Sequence, residues 1–235
     1  MRPPRGWIDA LPKGRLLAEF SLWSADLARM ADDVARAEPF ADLHHLDAAD
    51  GHFSSALLLF PDLVAAIRRL TAKPLHVHLM VADAILAAQV GQFAEAGADL
   101  ISVHAENAAA HDAIARIDGL GLAAGIVLRL DTPVAAAAPF LGRIRFLTLL
   151  GTRIGVKGQG LDPTAQARLR EARALIAAHG AGARVTLAAD GGIRDDTVPG
   201  LRAAGAQTVV MGSLAFGAPD LAARIAWLRG LPPPT

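Results

Sequence analysis

The 235-residue sequence contains no cysteine, and its 23 basic and 23 acidic side chains give a formal net charge of zero. Without cysteine the chain can form neither disulfides nor a thiolate metal site, so any metal must bind imidazole and carboxylate groups. No block of like charge occurs, which argues against nucleic acid or an anionic membrane as the main partner. No stretch resembles a signal peptide or a membrane span, so we expect a cytoplasmic protein.

The sequence also lacks a linker or a low-complexity segment, which indicates a single domain. Hydrophobic residues make up 53% of the chain, enough for one large core. No GxGxxG fingerprint accompanies the first predicted strand, where the sequence reads SLWSAD. This absence makes a doubly wound open sheet with a dinucleotide site the weaker of two α/β architectures that fit the pattern.

Short apolar runs alternate with longer helical patterns from residue 16 onward. The runs predict eight strands, at residues 17–21, 43–47, 75–79, 100–104, 123–128, 146–150, 185–189 and 208–211. Eight strands separated by helices indicate a (β/α)8 TIM barrel, a fold of about 250 residues. We assign residues 16–235 to one barrel domain and residues 1–15 to an N-terminal extension.

Three residues predict helix boundaries. Ser24 precedes an acidic stretch, which is typical of a helix that begins with a hydroxyl cap. Gly97 and Gly205 each stand between a helical pattern and a strand, and glycine is common just past a helix end. We expect both glycines to end a helix.

Polar side chains mark the ends of three predicted strands. His45 and Asp47 are two residues apart, so a strand points both to one face. Taken alone, the pair is explained more simply as a polar strand end whose members bond each other. His78 and Asp190, at the ends of the third and seventh strands, raise the candidate ligands to four. This end of the strands is where barrel enzymes carry their chemistry.

Two imidazoles and two carboxylates suffice to hold one divalent ion, and they suit zinc, iron, manganese or cobalt about equally well. Asp47 and Asp190 can flank a substrate from two sides, because they lie on the second and seventh strands. With a carbonyl polarised by the metal, one aspartate can remove the neighbouring proton and the other can return one to the opposite face. The constellation therefore favours inversion of a carbon next to a carbonyl.

Glycines after the last two strands predict a phosphate site. Gly191 and Gly192 follow the seventh strand, and Gly212 with Ser213 follows the eighth. Each pair opens a helical segment whose free backbone N–H groups can bind an anion. Either pair alone is compatible with an ordinary turn, but both together favour a phosphorylated substrate.

Six motifs resemble the ribulose-phosphate 3-epimerase family over residues 18–230. They are SLWSAD at 21–26, HLDAADGHF at 45–53, HVHLM at 76–80, VHAE at 103–106, ADGGI at 189–193 and GSLAF at 212–216. The resemblance implies a metal-dependent epimerase of phosphorylated keto-sugars, and a homo-oligomer. It makes His45, Asp47, His78 and Asp190 the metal ligands, with both aspartates as the acid/base pair. The residues that it assigns to substrate and phosphate are Ser21, Met80, Gly155, Gly158, Gly191, Gly192, Gly212 and Ser213.

The sequence differs from this family by three additional basic side chains. LGTRIGVKGQ at 150–159 keeps the length of the family's MSVNPGFGGQ but introduces Arg153 and Lys157, and Arg129 replaces an asparagine on the fifth strand. Ala49 replaces a methionine, which would enlarge the pocket. These changes favour a substrate with more negative charge than ribulose 5-phosphate, or one that is held differently.

Two histidines have no explanation in the sequence. His44 faces away from His45, toward the helix layer, where an aliphatic residue is expected. His76 stands where the family has an aspartate.

The sequence thus predicts an epimerase that inverts the carbon next to the keto group of a phosphorylated ketose. Ribulose 5-phosphate, xylulose 5-phosphate and related pentulose or hexulose phosphates all stay open. An aldose-ketose isomerase or a lyase with the same enediolate chemistry is the nearest alternative. A barrel that binds a phosphosugar without turnover is the more distant one, because paired ionised groups are costly to bury.

Overall fold

The computed structural model describes residues 1–234 and contains a closed barrel of eight parallel strands in chain order. The strands are β1 Leu17–Ser21, β2 Leu43–Ala49, β3 Leu75–Met80, β4 Leu100–His104, β5 Ala123–Leu128, β6 Phe146–Leu150, β7 Thr186–Asp190 and β8 Thr208–Met211. Each lies within two residues of its predicted bounds, and the TIM barrel is confirmed. An open sheet is excluded, because β1 pairs with β8.

Helices cover the outside of the barrel. They are α1 Met30–Ala37, α2 Pro61–Arg68, α3 Asp83–Ala96, α4 Ala110–Gly119, α5 Ala165–Ala178, α6 Val198–Ala203, α7 Ser213–Phe216 and α8 Leu221–Arg229, with 3-10 helices at Leu22–Ser24 and Val134–Phe140. Among the described residues, no helix has the length and apolar character needed to cross a membrane.

The predicted start of the first helix at Ser24 was wrong. Ser24 ends a 3-10 helix, and α1 begins only at Met30. The intervening turn is held by Asp26, whose carboxylate accepts the N–H of Ala28 at 3.0 Å and whose own N–H donates to Asp33 at 2.7 Å. Local hydrogen bonds of this kind compete with the helical pattern.

Both predicted helix-ending glycines are confirmed. Gly97 follows α3 with φ +112°, and Gly205 follows the end of α6 with φ +120°. Glycine adopts this left-handed backbone without steric cost. At Gly97 space is limiting as well, because a Cβ would lie 2.6 Å from Cγ of Arg68.

Apolar side chains pack on both sides of the strands. Those that point outward pack against the helices and form the larger cluster. Those that point inward at the N-terminal end of the barrel form a smaller one, made of Leu17, Leu43, Leu100, Phe146 and Ala188. The alternation of inward and outward residues separates the two clusters.

Residues 1–15, here called the N-terminal plug, close the N-terminal end of the barrel. Its apolar side chains that pack against the inner cluster are Trp7, Ile8 and Leu11. Lys13 Nζ donates to the carbonyl of Ala183 at 3.0 Å, and Asp9 forms an ion pair with Arg145. The segment predicted as an extension therefore packs on the barrel rather than projecting from it.

His44 faces the helix layer and is fully buried. Its Nε2 lies 3.5 Å from a carboxylate oxygen of Glu38, directly after α1. The same carboxylate accepts a 2.6 Å hydrogen bond from the hydroxyl of Thr71. Glu38 thus gives His44 a polar partner in a layer that is otherwise aliphatic.

We expect Trp7→Ala to lower the free energy of unfolding by about 2 kcal/mol, because it removes apolar contacts from the inner cluster. Leu57→Ala is the matched control, since Leu57 is 80% exposed and its loss should change stability by less than about 0.5 kcal/mol. Urea unfolding of the three proteins measures the difference. Equal stability of the two variants would show that the plug does not stabilise the barrel.

Candidate active site

The C-terminal ends of three strands bring the four predicted ligands together. Asp47 on β2 stands directly opposite His78 on β3 in the strand register, and His45 lies two residues earlier on the same face as Asp47. Asp190 ends β7. One side-chain donor atom from each of the four lies within 4.8 Å of those of the others.

The distances within this cluster are short and even. The Oδ1 atom of Asp47 lies 3.2 Å from Nε2 of His45 and 3.2 Å from Nδ1 of His78. The Oδ2 atom of Asp190 lies 3.9 Å and 3.8 Å from the same two nitrogens. Two ligands of one tetrahedral zinc ion stand about 3.3 Å apart, given bond lengths of about 2.0–2.2 Å. The donor set and its spacing therefore fit a single divalent ion.

The surroundings of the two carboxyl groups in the cluster give them different pKa values. Burial alone would raise the pKa of Asp47, but the charge of His45 and hydrogen bonds from both histidines lower it. Burial raises the pKa of Asp190 to about 6, against the opposing charge of His45 and with a contribution from the charge of Asp47. The two aspartates thus differ in affinity for a proton although they share one site.

His78 is held from behind by a second chain of hydrogen bonds. Its Nε2 lies 2.9 Å from Nε2 of His104, whose Nδ1 lies 2.9 Å from a carboxylate oxygen of Glu106. Burial lowers the pKa of His104 to about 4, so this ring is neutral and its Nε2 can accept a hydrogen bond from His78. Glu106 in turn accepts hydrogen bonds from Thr132 and from the backbone N–H of Arg129.

A cavity of about 360 Å³ opens above the cluster. The predicted site residues that line it are Ser21, Asp47, His78, Met80, Arg153, Gly155, Lys157, Gly158, Asp190, Gly191, Gly212 and Ser213. Ser21 contacts the cluster directly, because its hydroxyl donates to Asp47 at 3.2 Å. His45 lies beneath the cavity, and the other predicted residues, Gly192, Ala49 and Arg129, do not line it.

The glycine turns leave backbone exposed to the cavity. Gly191 has φ +88°, and a Cβ there would lie 2.2 Å from the hydroxyl oxygen of Thr152. A Cβ on Gly212, which immediately precedes α7, would lie 2.4 Å from the hydroxyl oxygen of Ser24. Only glycine can bring the main chain so close to its neighbours at these two positions.

The segment 151–160, here called the β6 loop, forms one wall of the cavity. Gln159 pins the loop, since its amide donates to the carbonyl of Arg153 at 3.2 Å and to that of Val156 at 2.9 Å. Lys157 crosses toward β1, where its Nζ donates to the carbonyl of Trp23 at 2.5 Å and lies 4.8 Å from the indole centroid. The loop thus joins the sixth strand to the chain that follows the first.

Arg129 was predicted as a specificity residue, but it points elsewhere. Its guanidinium lies 4.1 Å from the ring centroid of Phe53 and donates to the carbonyl of that residue at 3.0 Å. This cation–π contact places the guanidinium of Arg129 over Phe53, and Arg129 does not line the cavity. Ala49 is buried at the end of β2 and does not enlarge the cavity wall.

Other lining residues were missed by the sequence analysis, and those with polar or aromatic side chains are Trp23, Ser24, Thr152, Gln159 and Arg194. The local signals for this group were the proximity of Arg194 to the glycine pair at 191–192 and the position of the others in the segments SLWSAD and LGTRIGVKGQ. Glu19, His104 and Glu106, which stand behind the two histidines, were also missed. The contacts of Glu19 with His45 and of His104 with His78 cross from strand to strand, so the two-residue spacing of His104 and Glu106 did not reveal their place behind His78.

The barrel resembles two solved structures at low sequence identity. A 3-hexulose-6-phosphate synthase superposes with a TM-score of 0.63 at 18% identity, over 92% of this chain and 100% of that one. An orotidine 5'-phosphate decarboxylase from Pyrococcus horikoshii gives a TM-score of 0.63 at 14% identity, over 91% and 97%. At such identities the likeness shows the fold alone.

Sequence comparison identifies the family. Ribulose-phosphate 3-epimerase 2 of Cupriavidus necator is 40% identical over 204 residues, which is 85% of this chain and 84% of that protein. The ribulose-phosphate 3-epimerase of Synechocystis sp. is 35% identical over 213 residues, 89% and 91% of the two chains. That of Bacillus subtilis is 32% identical over 212 residues, 89% and 96%. The model of the ribulose-phosphate 3 epimerase family matches residues 17–216, and the chain therefore belongs to this family of carbohydrate epimerases.

Proposed function

We propose that this protein is a metal-dependent epimerase that inverts the carbon next to the keto group of a phosphorylated ketose. The observation that carries the proposal is the cluster of His45, Asp47, His78 and Asp190 beneath a cavity bordered by glycine turns. Ribulose 5-phosphate, xylulose 5-phosphate and related pentulose or hexulose phosphates are the candidate substrates. A homo-oligomer and a cytoplasmic location stay predictions of the sequence.

The four ligands supply a site of mixed imidazole and carboxylate character that suits zinc, iron, manganese or cobalt. A divalent ion held by these residues would supply polarisation of the keto oxygen and compensation of the negative charge that develops when the neighbouring proton is removed. Asp47 and Asp190 come from strands on different sides of the barrel mouth, so they reach a substrate from two directions. One takes the proton from the carbon next to the carbonyl, and the other donates a proton to the opposite face. Ser21 orients Asp47 through its hydroxyl.

The glycine turns complete the site by binding the phosphate. Backbone N–H groups at Gly191 and at the start of α7 supply donors to an anion, and Ser213 adds a hydroxyl. Gly192 supports this turn rather than the cavity wall, because a Cβ on it would lie 2.7 Å from Cα of Leu161. Gly155 and Gly158 give the β6 loop its left-handed turns, with φ +71° and +79°.

Proton exchange in deuterated water tests the reaction. We expect the parent protein to exchange the proton next to the carbonyl of a keto-sugar phosphate and to form the epimer. Asp47→Asn and Asp190→Asn keep the shape but remove a base, so turnover should fall by about 10²–10⁴-fold. One of these variants can still exchange a proton on a single face without inverting the carbon.

Asp118→Asn is the control for these variants, since Asp118 pairs with Arg143 on the surface. Epimerisation at the parental rate by both site variants would refute the acid/base roles. Exchange accompanied by an aldose or by a cleaved product would favour the isomerase or lyase alternative. No exchange with any phosphorylated ketose would favour a binding barrel without turnover.

Metal analysis tests the ligands separately. His45→Ala and His78→Ala should lower the bound divalent metal and the activity together, while the far-UV circular dichroism stays parental, because barrel stability rests on the packed strands. His111→Ala is the control, because His111 is an exposed histidine on α4. Full activity in a variant that binds no metal would contradict the metal dependence.

The β6 loop is expected to set substrate preference through Arg153 and Lys157. Both line the cavity, and burial lowers the pKa of Lys157 while the charge of Asp47 opposes that shift. Arg153→Ala and Lys157→Ala should raise KM for the physiological substrate far more than for ribulose 5-phosphate, as loss of ground-state binding does. Arg143→Ala is the matched control on the surface. If both loop variants treat every substrate like the parent, ribulose 5-phosphate becomes the preferred assignment.

A further inference from the structure

Below the metal cluster, the interior of the barrel contains a charged residue that the reaction does not use. Glu19 lies on β1 and is fully buried. One of its oxygens, Oε1, lies 2.8 Å from Nδ1 of His45 and also contacts Nδ1 of His76. The other, Oε2, lies 3.4 Å from the hydroxyl of Thr208.

A second metal ion does not explain this group. Glu19, His45 and His76 offer three donor atoms close together. However, Oε1 of Glu19 lies within hydrogen-bond distance of Nδ1 of both histidines. These distances are shorter than the separation of about 3.3 Å between two ligands of one tetrahedral ion. In addition, Nε2 of His76 already bonds the hydroxyl of Ser102 at 2.6 Å. The group is a hydrogen-bonded chain in which each polar atom is satisfied by protein.

The chain fixes the orientation of His45. A carboxylate can only accept, so both imidazoles that meet Oε1 must donate from Nδ1. Because Nδ1 of His45 is turned to Glu19, Nε2 is the nitrogen that faces the cluster, 3.2 Å from Asp47 and 3.9 Å from Asp190. A metal ion bound there would replace the proton that Nε2 donates to Asp47. The orientation that Glu19 imposes is the one in which His45 can bind a metal at the cluster.

His76 holds Glu19 in place. It donates to the same oxygen as His45, and its far side is anchored by the hydroxyl of Ser102 on β4. The register supports this arrangement, because His45 and His76 are direct partners between β2 and β3. With Thr208 on β8, five adjacent strands thus determine the position of one carboxylate.

We infer that Glu19 is a positioning residue for the metal site: it orients His45 through Nδ1 and is itself fixed by His76. The inference rests on the proposed metal-dependent function. A carboxylate behind a metal-binding histidine increases its basicity and typically contributes 10–100-fold to metal affinity, by the general behaviour of such pairs. It also compensates part of the positive charge of the ion in a region that water does not reach.

The test is the affinity of the full-length protein for Co²⁺, measured by competition with a chelator. Glu19→Gln keeps the size of the side chain but removes the charge, and a neutral acceptor forms a weaker hydrogen bond. We expect the affinity to fall by about 10–100-fold. At saturating Co²⁺ most of the parental kcat should return, since Glu19 contacts neither the cavity nor the substrate.

Glu38→Gln is the matched control, because Glu38 stands beside His44, the outward-facing histidine of the same strand. It should bind Co²⁺ as tightly as the parent.

Nitrogen NMR of the imidazoles adds a spectroscopic readout. With Zn²⁺ bound, the proton of His45 in the parent should reside on Nδ1 with the signature of a hydrogen bond to a carboxylate, and Glu19→Gln should lose that signature.

The Co²⁺ affinities of the parent and of Glu19→Gln distinguish failure of this inference from failure of the proposed function. If Glu19→Gln binds Co²⁺ as tightly as a parent that is itself metal-loaded and active, the inference is overturned and the proposed function stands. If the parent binds no Co²⁺, both fall. A lower melting temperature of metal-free Glu19→Gln with parental Co²⁺ affinity would indicate a structural role only. Should this variant not fold, Glu19→Asp, which withdraws the carboxylate by one methylene, carries the same expectation.

Discussion

The desolvation of charged groups in the mouth of the barrel is the constraint on which the site depends. A carboxylate taken out of water is stable only if opposite charge and hydrogen bonds replace its hydration. Asp47 receives both from His45 and His78, and each of these histidines is bonded to a partner behind it. The strands hold these groups in fixed register.

The fold could be predicted almost completely from the sequence. Strands of a parallel barrel are buried on both faces, so each reads as a short apolar run that is hard to confuse with a turn. The grouping of the four candidate ligands could be predicted as well, because side chains two residues apart at a strand end share a face and the ends of parallel strands meet at one end of the barrel. This grouping needed only the positions of strand ends, which the apolar runs supply.

The features of the site that could not be predicted depend on contacts between residues that are distant in sequence. Glu19 and His45 are 26 residues apart, and nothing in either strand indicates that they meet. The start of α1 was misjudged because Asp26 forms its own turn, and the stacking of Arg129 on Phe53 could not be read from the sequence. In each case the expectation from the local sequence failed to include a contact that only the three-dimensional structure reveals.

The position of the N-terminal plug has a consequence for how the chain reaches its native state. Residues 1–15 precede the barrel in the sequence, yet their partners include Ala183 and Arg145, which follow them by more than 130 residues. The plug must therefore wait for most of the chain, and its burial cannot precede closure of the strands around Leu17 and Phe146. Contacts of such long sequence separation slow folding. Until they form, Trp7 and its neighbours are available to chaperones as an exposed apolar segment on the nascent protein.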